Sequence, residues 1–242
     1  MEQVVRIPNQ NVQVKVLADM AFPGTGLLRD FILILSFALF TTLLAQIAIR
    51  IPTTTVPITG QTLGVLLTGA SLGARRGSAS MLLYMLLGMF VFNAFAPPGS
   101  LMGDKTLHFI LPWSGTQGFV WDLSSGGYIV GFILGSYVVG FLAERGWDRH
   151  STLPIAMVIA NLSIYVIGLP WLGYFIASGT LIPGLELSYY DAISGTNVLD
   201  KTLKGGLYPF IGGDALKLLL ASSAVPIAWL GVKKFKEKGP SS

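Results

Sequence analysis

The sequence contains no cysteine and only two histidines, His108 and His150, among its 242 residues. The lack of cysteine excludes disulfide bonds, thiolate chemistry and cysteine-based metal sites. Neither histidine stands at ligand spacing with another histidine or a carboxylate, and a metal site needs several converging ligands. No G-x-S-x-G sequence and no P-loop pattern occur either. We therefore expect no metal and no cofactor, and any ATP must be bound by another subunit.

Charged residues are also scarce, at 12% of the chain against roughly a quarter in an ordinary soluble domain, whereas 52% of residues are hydrophobic. About 20 predominantly apolar residues form a helix that crosses the hydrocarbon core of a bilayer. The composition and the length of the uncharged runs predict an all-α polytopic membrane protein with six transmembrane helices. The predicted spans cover residues 31–49, 56–74, 78–96, 127–143, 151–169 and about 212–232.

The basic residues are distributed by membrane side in this arrangement. Eleven Lys and Arg fall on the side of the two termini and four on the opposite side, with Lys217 inside the sixth span. The positive-inside rule therefore predicts cytoplasmic N- and C-termini in a multi-pass protein of the cytoplasmic membrane. This topology explains the pI of 9.3 better than binding to nucleic acid does.

The predicted spans divide the chain into three parts. Residues 1–28 form a cytoplasmic or interfacial N-terminal segment, residues 29–232 form the six-helix membrane domain, and residues 233–242 form a basic cytoplasmic tail. The inner connections are short, whereas the outer connections at about 97–126 and 170–211 are long. Long loops in a compact domain usually act as lids or binding loops, so we expect the outer loops to form a substrate gate.

Two charged residues, Asp214 and Lys217, lie one helical turn apart in the outer half of the sixth span. An ionised side chain near the bilayer centre costs about 2.5–3.5 kcal/mol on insertion scales, so such residues face a partner or a cavity. The pair either locks helix packing or binds a polar small molecule. Gln61, an amide near the membrane surface, is a second candidate for ligand binding, and the alternative is a helix-start residue bonded to backbone.

Six segments of the chain form a set in a fixed order, namely VPITGQTLGVLLTGASLGARRG at 56–77, YMLLG at 84–88, GGYIVGF at 126–132, LAERGWDR at 142–149, IGLPWL at 167–172 and PFIGGDALKLLLA at 209–221. Together they resemble the BioY family, the biotin-specific S components of energy-coupling factor (ECF) transporters. The resemblance implies six membrane helices that capture biotin from outside, as a transport subunit rather than an enzyme. It also implies partners, namely a transmembrane coupling subunit and two ATP-binding subunits.

The resemblance gives the charged pair a chemical role toward the ureido ring of biotin, which has two N–H donors and one carbonyl acceptor. Asp214 accepts from a ureido N–H and Lys217 donates to the ureido carbonyl, each as a charge-assisted hydrogen bond. Asn93, at the outer end of the third span, is expected to offer its amide to the same ring.

Apolar parts of biotin need apolar walls, for which Phe95, Trp113 and Tyr128 are candidates. Lys105 is the basic residue of the second outer loop, and we expect it to bind the tail carboxylate. Other functions remain open at this stage, namely an S component for another vitamin, a self-sufficient secondary carrier or an intramembrane enzyme. An enzyme would need a further titratable group beside Asp214 within the membrane.

Family members pack small residues of the first helix against the coupling subunit. The corresponding spacing here is Ala38-x-x-x-Thr42 and Thr41-x-x-x-Ala45, which permits close backbone approach. These four residues are the predicted coupling face. Ordinary packing within the chain is the alternative.

Overall fold

In the part of the chain that the structure describes, the long apolar runs fold into six main helices, joined by short helices and small strands. The computed structural model describes residues 15–49, 54–97, 107–108, 115–148 and 152–237. Two 3-10 turns, Val120–Asp122 and Tyr208–Phe210, precede two of the main helices. In these ranges the α-helices are α1 Leu17–Ala21, α2 Leu27–Ala45, α3 Gln61–Leu72, α4 Ala74–Phe90, α5 Gly126–Ala143, α6 Leu153–Ala177, α7 Tyr189–Ala192, α8 Val198–Gly206 and α9 Ile211–Glu237, and the strands are β1 Ala48–Ile49, β2 Ile58–Thr59 and β3 Leu107–His108.

The helix bounds agree with the predicted spans to different degrees. The span predicted at 127–143 differs from α5 by one residue, whereas the span predicted at 151–169 is too short. Helix α6 continues through Pro170 to Ala177. Proline is tolerated inside membrane helices because neighbouring groups satisfy the backbone carbonyls that it frees.

Among the described residues, four helical stretches are long and apolar enough to cross a membrane, namely Leu27–Ala45, Gly126–Ala143, Leu153–Ala177 and Val198–Glu237. Helix α3 has 12 residues and α4 has 17, which is less than the roughly 20 that a complete crossing requires. The mostly helical fold is therefore confirmed, whereas six complete crossings remain a prediction.

A single residue, Gly73, connects α3 to α4. Its φ of +84° is a conformation that side-chain-bearing residues rarely adopt. The next residue, Ala74, donates its backbone N–H to the Glu144 carboxylate at 2.8 Å, and this bond caps the start of α4. The turn therefore reverses the chain without a loop, and it fixes α3 and α4 side by side.

Close backbone approach places α5 at the centre of the bundle. A Cβ atom on Gly69 of α3 would lie 2.3 Å from the Ser136 carbonyl oxygen of α5. A Cβ on Gly140 of α5 would lie 2.4 Å from the Gly73 carbonyl carbon. Small residues at helix contacts let membrane helices pack on dispersion forces, since lipid provides little hydrophobic drive for association.

The four residues of the predicted coupling face are buried in this fold. Ala38, Thr41, Thr42 and Ala45 are each at most 1% exposed. A Cβ on Gly64 of α3 would lie 3.2 Å from the Thr41 Cα, so α3 covers this side of α2. The four side chains thus pack within this chain, and their role as a coupling face stays a prediction.

The short helix α1 is held by ion pairs at the end of the bundle where α3 turns into α4. Asp19 accepts from Arg76 at 2.8 Å and from Arg29 at 3.1 Å, and both arginines also bind Asp30. Burial raises the pKa of Asp19, but the hydrogen bonds from Arg76 and Arg29 outweigh this effect and hold that pKa below its ordinary value. The network ties α1 to α2 and α4.

Three longer connections lie together, in their described parts, at the opposite end, which we call the cavity end. The first connection joins α2 to α3 (46–60), the second joins α4 to α5 (91–125), and the third joins α6 to α9 (178–210). Strand β1 pairs antiparallel with both β2 and β3, and Phe95 pairs with Thr116 across the base of the second connection. In the third connection the buried ammonium of Lys201 donates to the Tyr190 and Ile193 carbonyls, both at 2.7 Å. These contacts hold the connections over the ends of the helices.

Candidate ligand-binding site

A cavity of about 440 Å³ opens at the cavity end of the bundle. Its volume falls in the range of about 300–1,000 Å³ that is usual for sites that bind small molecules. All three long connections contribute to its wall, together with α3, α5, α6 and α9. The cavity therefore lies where the sequence predicts the substrate gate.

Asp214 and Lys217 both line this cavity, from the first two turns of α9. The Lys217 ammonium lies 3.0 Å from Asp214 Oδ1, and the two side chains are 12% and 7% exposed. This is the one hydrogen bond that Lys217 makes with the described residues, so its ammonium keeps further donors for a ligand. A charged pair with unused donors at a cavity wall fits the recognition of a polar ligand.

The other oxygen of the same carboxylate accepts from two side chains of α6. Asn161 Nδ2 donates to Asp214 Oδ2 at 2.9 Å, and the Tyr165 hydroxyl donates to the same atom. Both residues line the cavity, and the sequence-based prediction missed them. Their spacing of four residues places two polar side chains on one face of an apolar helix, and that signal could have identified them.

Gln61 also lines the cavity, and its amide is held by neighbouring side chains. Its Nε2 donates to the Tyr84 hydroxyl at 2.6 Å, and its Oε1 accepts from Thr59 Oγ1 at 2.7 Å. The backbone N–H of Gln61 also donates to Thr59 Oγ1, at 3.3 Å. The side chain is therefore fixed in orientation and keeps one N–H for a ligand.

Two of the predicted apolar wall residues, Phe95 and Tyr128, line the cavity and are buried. Phe95 packs edge-to-face against Tyr84, with ring centroids 5.7 Å apart. Tyr128 packs edge-to-face against Tyr165 at 5.9 Å, and its hydroxyl donates to the Gly206 carbonyl at 2.8 Å. These contacts hold both rings firmly as walls next to the charged pair.

The remaining predicted site residues lie elsewhere. Asn93 is exposed and does not line the cavity, because α4 ends at Phe90 and the turn that follows brings Phe95 inward instead. Lys105 and Trp113 lie outside the described residues. Within the described ranges, no group of three or more His, Asp or Glu side chains is placed to hold a metal ion.

Hydroxyl groups from the three long connections meet at the cavity wall. Ser124 Oγ donates to Thr55 Oγ1 at 3.4 Å, and Tyr189 hydrogen-bonds to Ser124 as well. Burial raises the pKa of Tyr189, and the hydrogen bond with Ser124 partly opposes that change. The Tyr189 ring packs edge-to-face on Phe175 of α6 at 5.4 Å. The connections therefore contact one another directly beside the cavity.

Comparison with known proteins identifies a matching family and a solved structure with a similar fold. The BioY family profile matches residues 10–234, and no curated protein matches the sequence significantly. The structure is similar to a solved structure described as the S-component for biotin from an ECF-type ABC transporter, with a TM-score of 0.61. Sequence identity is 17%, over 88% of this chain and 93% of that chain, so this likeness shows a common fold. Because the family profile covers most of the sequence, the chain belongs to the BioY family.

Proposed function

We propose that this protein is the biotin-capture subunit of an ATP-driven ECF transporter. The observation that carries the proposal is the buried Asp214–Lys217 pair at the wall of a ligand-sized cavity, in a chain of the BioY family. The similar solved structure, described as an S-component for biotin, supports the same ligand. The protein itself has a transport role, and ATP hydrolysis belongs to partner subunits.

The charged pair matches the ureido ring of biotin in its donors and acceptors. Asp214 accepts a hydrogen bond from one ureido N–H, and Lys217 donates to the ureido carbonyl. The two side chains are nearly removed from water, at 7% and 12% exposure, which makes these bonds stronger than they would be at a surface. The pair therefore offers an acceptor to an N–H and a donor to the carbonyl of a cyclic urea.

Apolar side chains surround the rest of the cavity and suit the fused rings and aliphatic tail of biotin. Phe95, Tyr128, Ile129 and Phe132 contribute such surface. The hydroxyls of the three connections lie on the same wall, and Lys105 of the second connection is the proposed partner of the tail carboxylate. An apolar pocket with a few placed polar groups is the usual composition of a selective small-molecule site.

The proposed topology places the cavity on the outer face of the cytoplasmic membrane, with both termini inside. The eleven-to-four distribution of Lys and Arg supports this orientation. Six membrane helices are proposed, with α3 and α4 shorter than a full crossing. The partners are a transmembrane coupling subunit and two ATP-binding subunits, which drive release of biotin to the cytoplasm.

Calorimetry and uptake measurements test the function. Isothermal titration of the purified protein with biotin is expected to show one saturable site. Proteoliposomes that contain the protein with its coupling and ATP-binding subunits are expected to take up labelled biotin only when ATP is supplied to the ATP-binding subunits. Absence of biotin binding refutes biotin as the ligand. ATP-independent uptake by this chain alone refutes the proposed ATP-driven mechanism.

A further inference from the structure

Asn161 is a buried amide in a helix that is otherwise mostly apolar. It is 7% exposed, and its side chain borders the cavity. Burying an amide away from water is costly unless its polar atoms find partners. Its one hydrogen bond to a described residue is the bond from Nδ2 to Asp214 Oδ2, at 2.9 Å. Most of the hydrogen-bonding capacity of Asn161 is therefore unused by the described part of the protein.

The bond to Asp214 determines which way the amide faces. A carboxylate that is paired with an ammonium only accepts hydrogen bonds, so the nitrogen of the amide must face Asp214. The oxygen, Oδ1, is then an acceptor that receives no hydrogen bond from the described residues. It is also not sealed within the protein, so it remains open to the cavity that Asn161 borders.

A cyclic urea offers two N–H groups, and the charged pair supplies an acceptor for one of them. We propose that Asn161 Oδ1 accepts the hydrogen bond from the second ureido N–H, and that Asp214 positions the amide for this role. The inference rests on the proposed function, since it concerns the same ligand. It makes Asn161 a specificity-determining residue that distinguishes a cyclic urea from rings with a single N–H.

Tyr165 is the matched control for this assignment. Its hydroxyl donates to the same Asp214 oxygen as Asn161 does, from one helical turn further along α6. Tyr165→Phe and Asn161→Leu therefore each remove one donor from Asp214. Only the change at Asn161 also removes an amide oxygen from the cavity wall, so any effect unique to it reports on that oxygen.

The experiment measures binding of three ligands by titration calorimetry. The ligands are biotin and its two cyclic carbamate analogues, in each of which a ring oxygen replaces one ureido N–H. Wild-type protein is expected to bind each analogue about tenfold or more weakly than biotin, because an unpaired acceptor is left at the site. In Asn161→Leu, one of these two losses is expected to shrink to within about threefold, and the other to persist. In Tyr165→Phe both losses are expected to persist.

The outcomes separate the inference from the proposed function. Failure of wild-type protein to bind biotin refutes both. If wild-type protein binds biotin but Asn161→Leu weakens all three ligands by one common factor, Asn161 only supports Asp214 and the inference is wrong. If Tyr165→Phe removes the discrimination instead, the tyrosine hydroxyl is the acceptor and the inference is also wrong. If the leucine variant does not fold, the comparison is repeated with Asn161→Ala, because the smaller alanine side chain cannot clash with its neighbours.

Discussion

Replacement of Asp214 by asparagine tests whether the charged pair exists for the ligand or for helix packing. The substitution keeps the shape of the side chain but removes its charge, and Lys217 then faces a neutral amide in a site where it is only 12% exposed. Asn161 and Tyr165 also lose the charged oxygen that accepts their hydrogen bonds. The change therefore disturbs three donors at once.

The expected magnitude follows from the cost of leaving one charge of a buried pair without its partner. Removing one member of a buried, hydrogen-bonded charge pair costs about 2–5 kcal/mol. At about 1.4 kcal/mol per tenfold change, biotin affinity is expected to fall roughly 30- to 3000-fold in Asp214→Asn or Lys217→Ala. Titration calorimetry of the purified variants measures this loss directly.

The double variant, with Asn at 214 and Met at 217, separates the two explanations. A pair that only locks helices is dispensable once both charges are gone, because no charge is left unpaired. Thermal unfolding without ligand is then expected to return near the wild-type midpoint, and biotin affinity would return with it. If the pair contacts biotin, stability recovers but binding does not. Near-normal biotin affinity in the double variant would refute the assigned site.

Three further predictions concern topology, the ion-pair network and the third connection. In the cysteine-free chain, a cysteine at the exposed Glu186 should react with an impermeant maleimide from outside and one at the exposed Arg75 should not; the reverse labelling contradicts the topology. Because the pKa of Asp19 is lowered, its support of α1 should be complete above the ordinary pKa of an aspartate and lost as the pH falls through the lowered pKa. Hydrogen exchange over residues 17–21 measures this loss, and an equal response in Asp19→Asn argues against the network. Lys201→Met leaves two carbonyls without their donor, at a cost of about 1–3 kcal/mol each, so biotin should dissociate faster. An unchanged dissociation rate would show that this anchor does not hold the connection over the site.

The main helices were predictable because lipid imposes a simple requirement on the sequence. A crossing segment must satisfy its backbone internally and present apolar side chains, so uncharged runs locate helices well. Helix α5 lies within one residue of its prediction for this reason. The run at 56–74 was harder to predict, because its first residues form a bend and strand β2, and helix α3 begins only at Gln61. Hydropathy does not distinguish a buried extended segment from the first turns of a helix.

The charged residues of the candidate site were easy to select from the sequence, because a charge within lipid costs free energy. Asp214 and Lys217 stand out because ionisable side chains are rare within apolar spans, and the cavity lies beside them. Asn161 carries no charge and has no such signal beyond its spacing with Tyr165. Asn93 was selected by its place near the end of a predicted helix, but the true end at Phe90 moves it to the surface. An error of a few residues in a helix end is enough to exchange an exposed side chain for a buried one.

Helix packing and ligand binding share the same atoms at Asp214. Its Oδ1 pairs within α9, while its Oδ2 joins α9 to α6 through Asn161 and Tyr165. A single substitution at Asp214 therefore changes the energy of the helix contact and the energy of any ligand contact together. Double variants and ligand analogues separate the two, because removing both charges restores packing and exchanging one ligand atom leaves packing untouched. For this site, affinity loss in a single variant carries weight only beside an unliganded unfolding curve of the same protein.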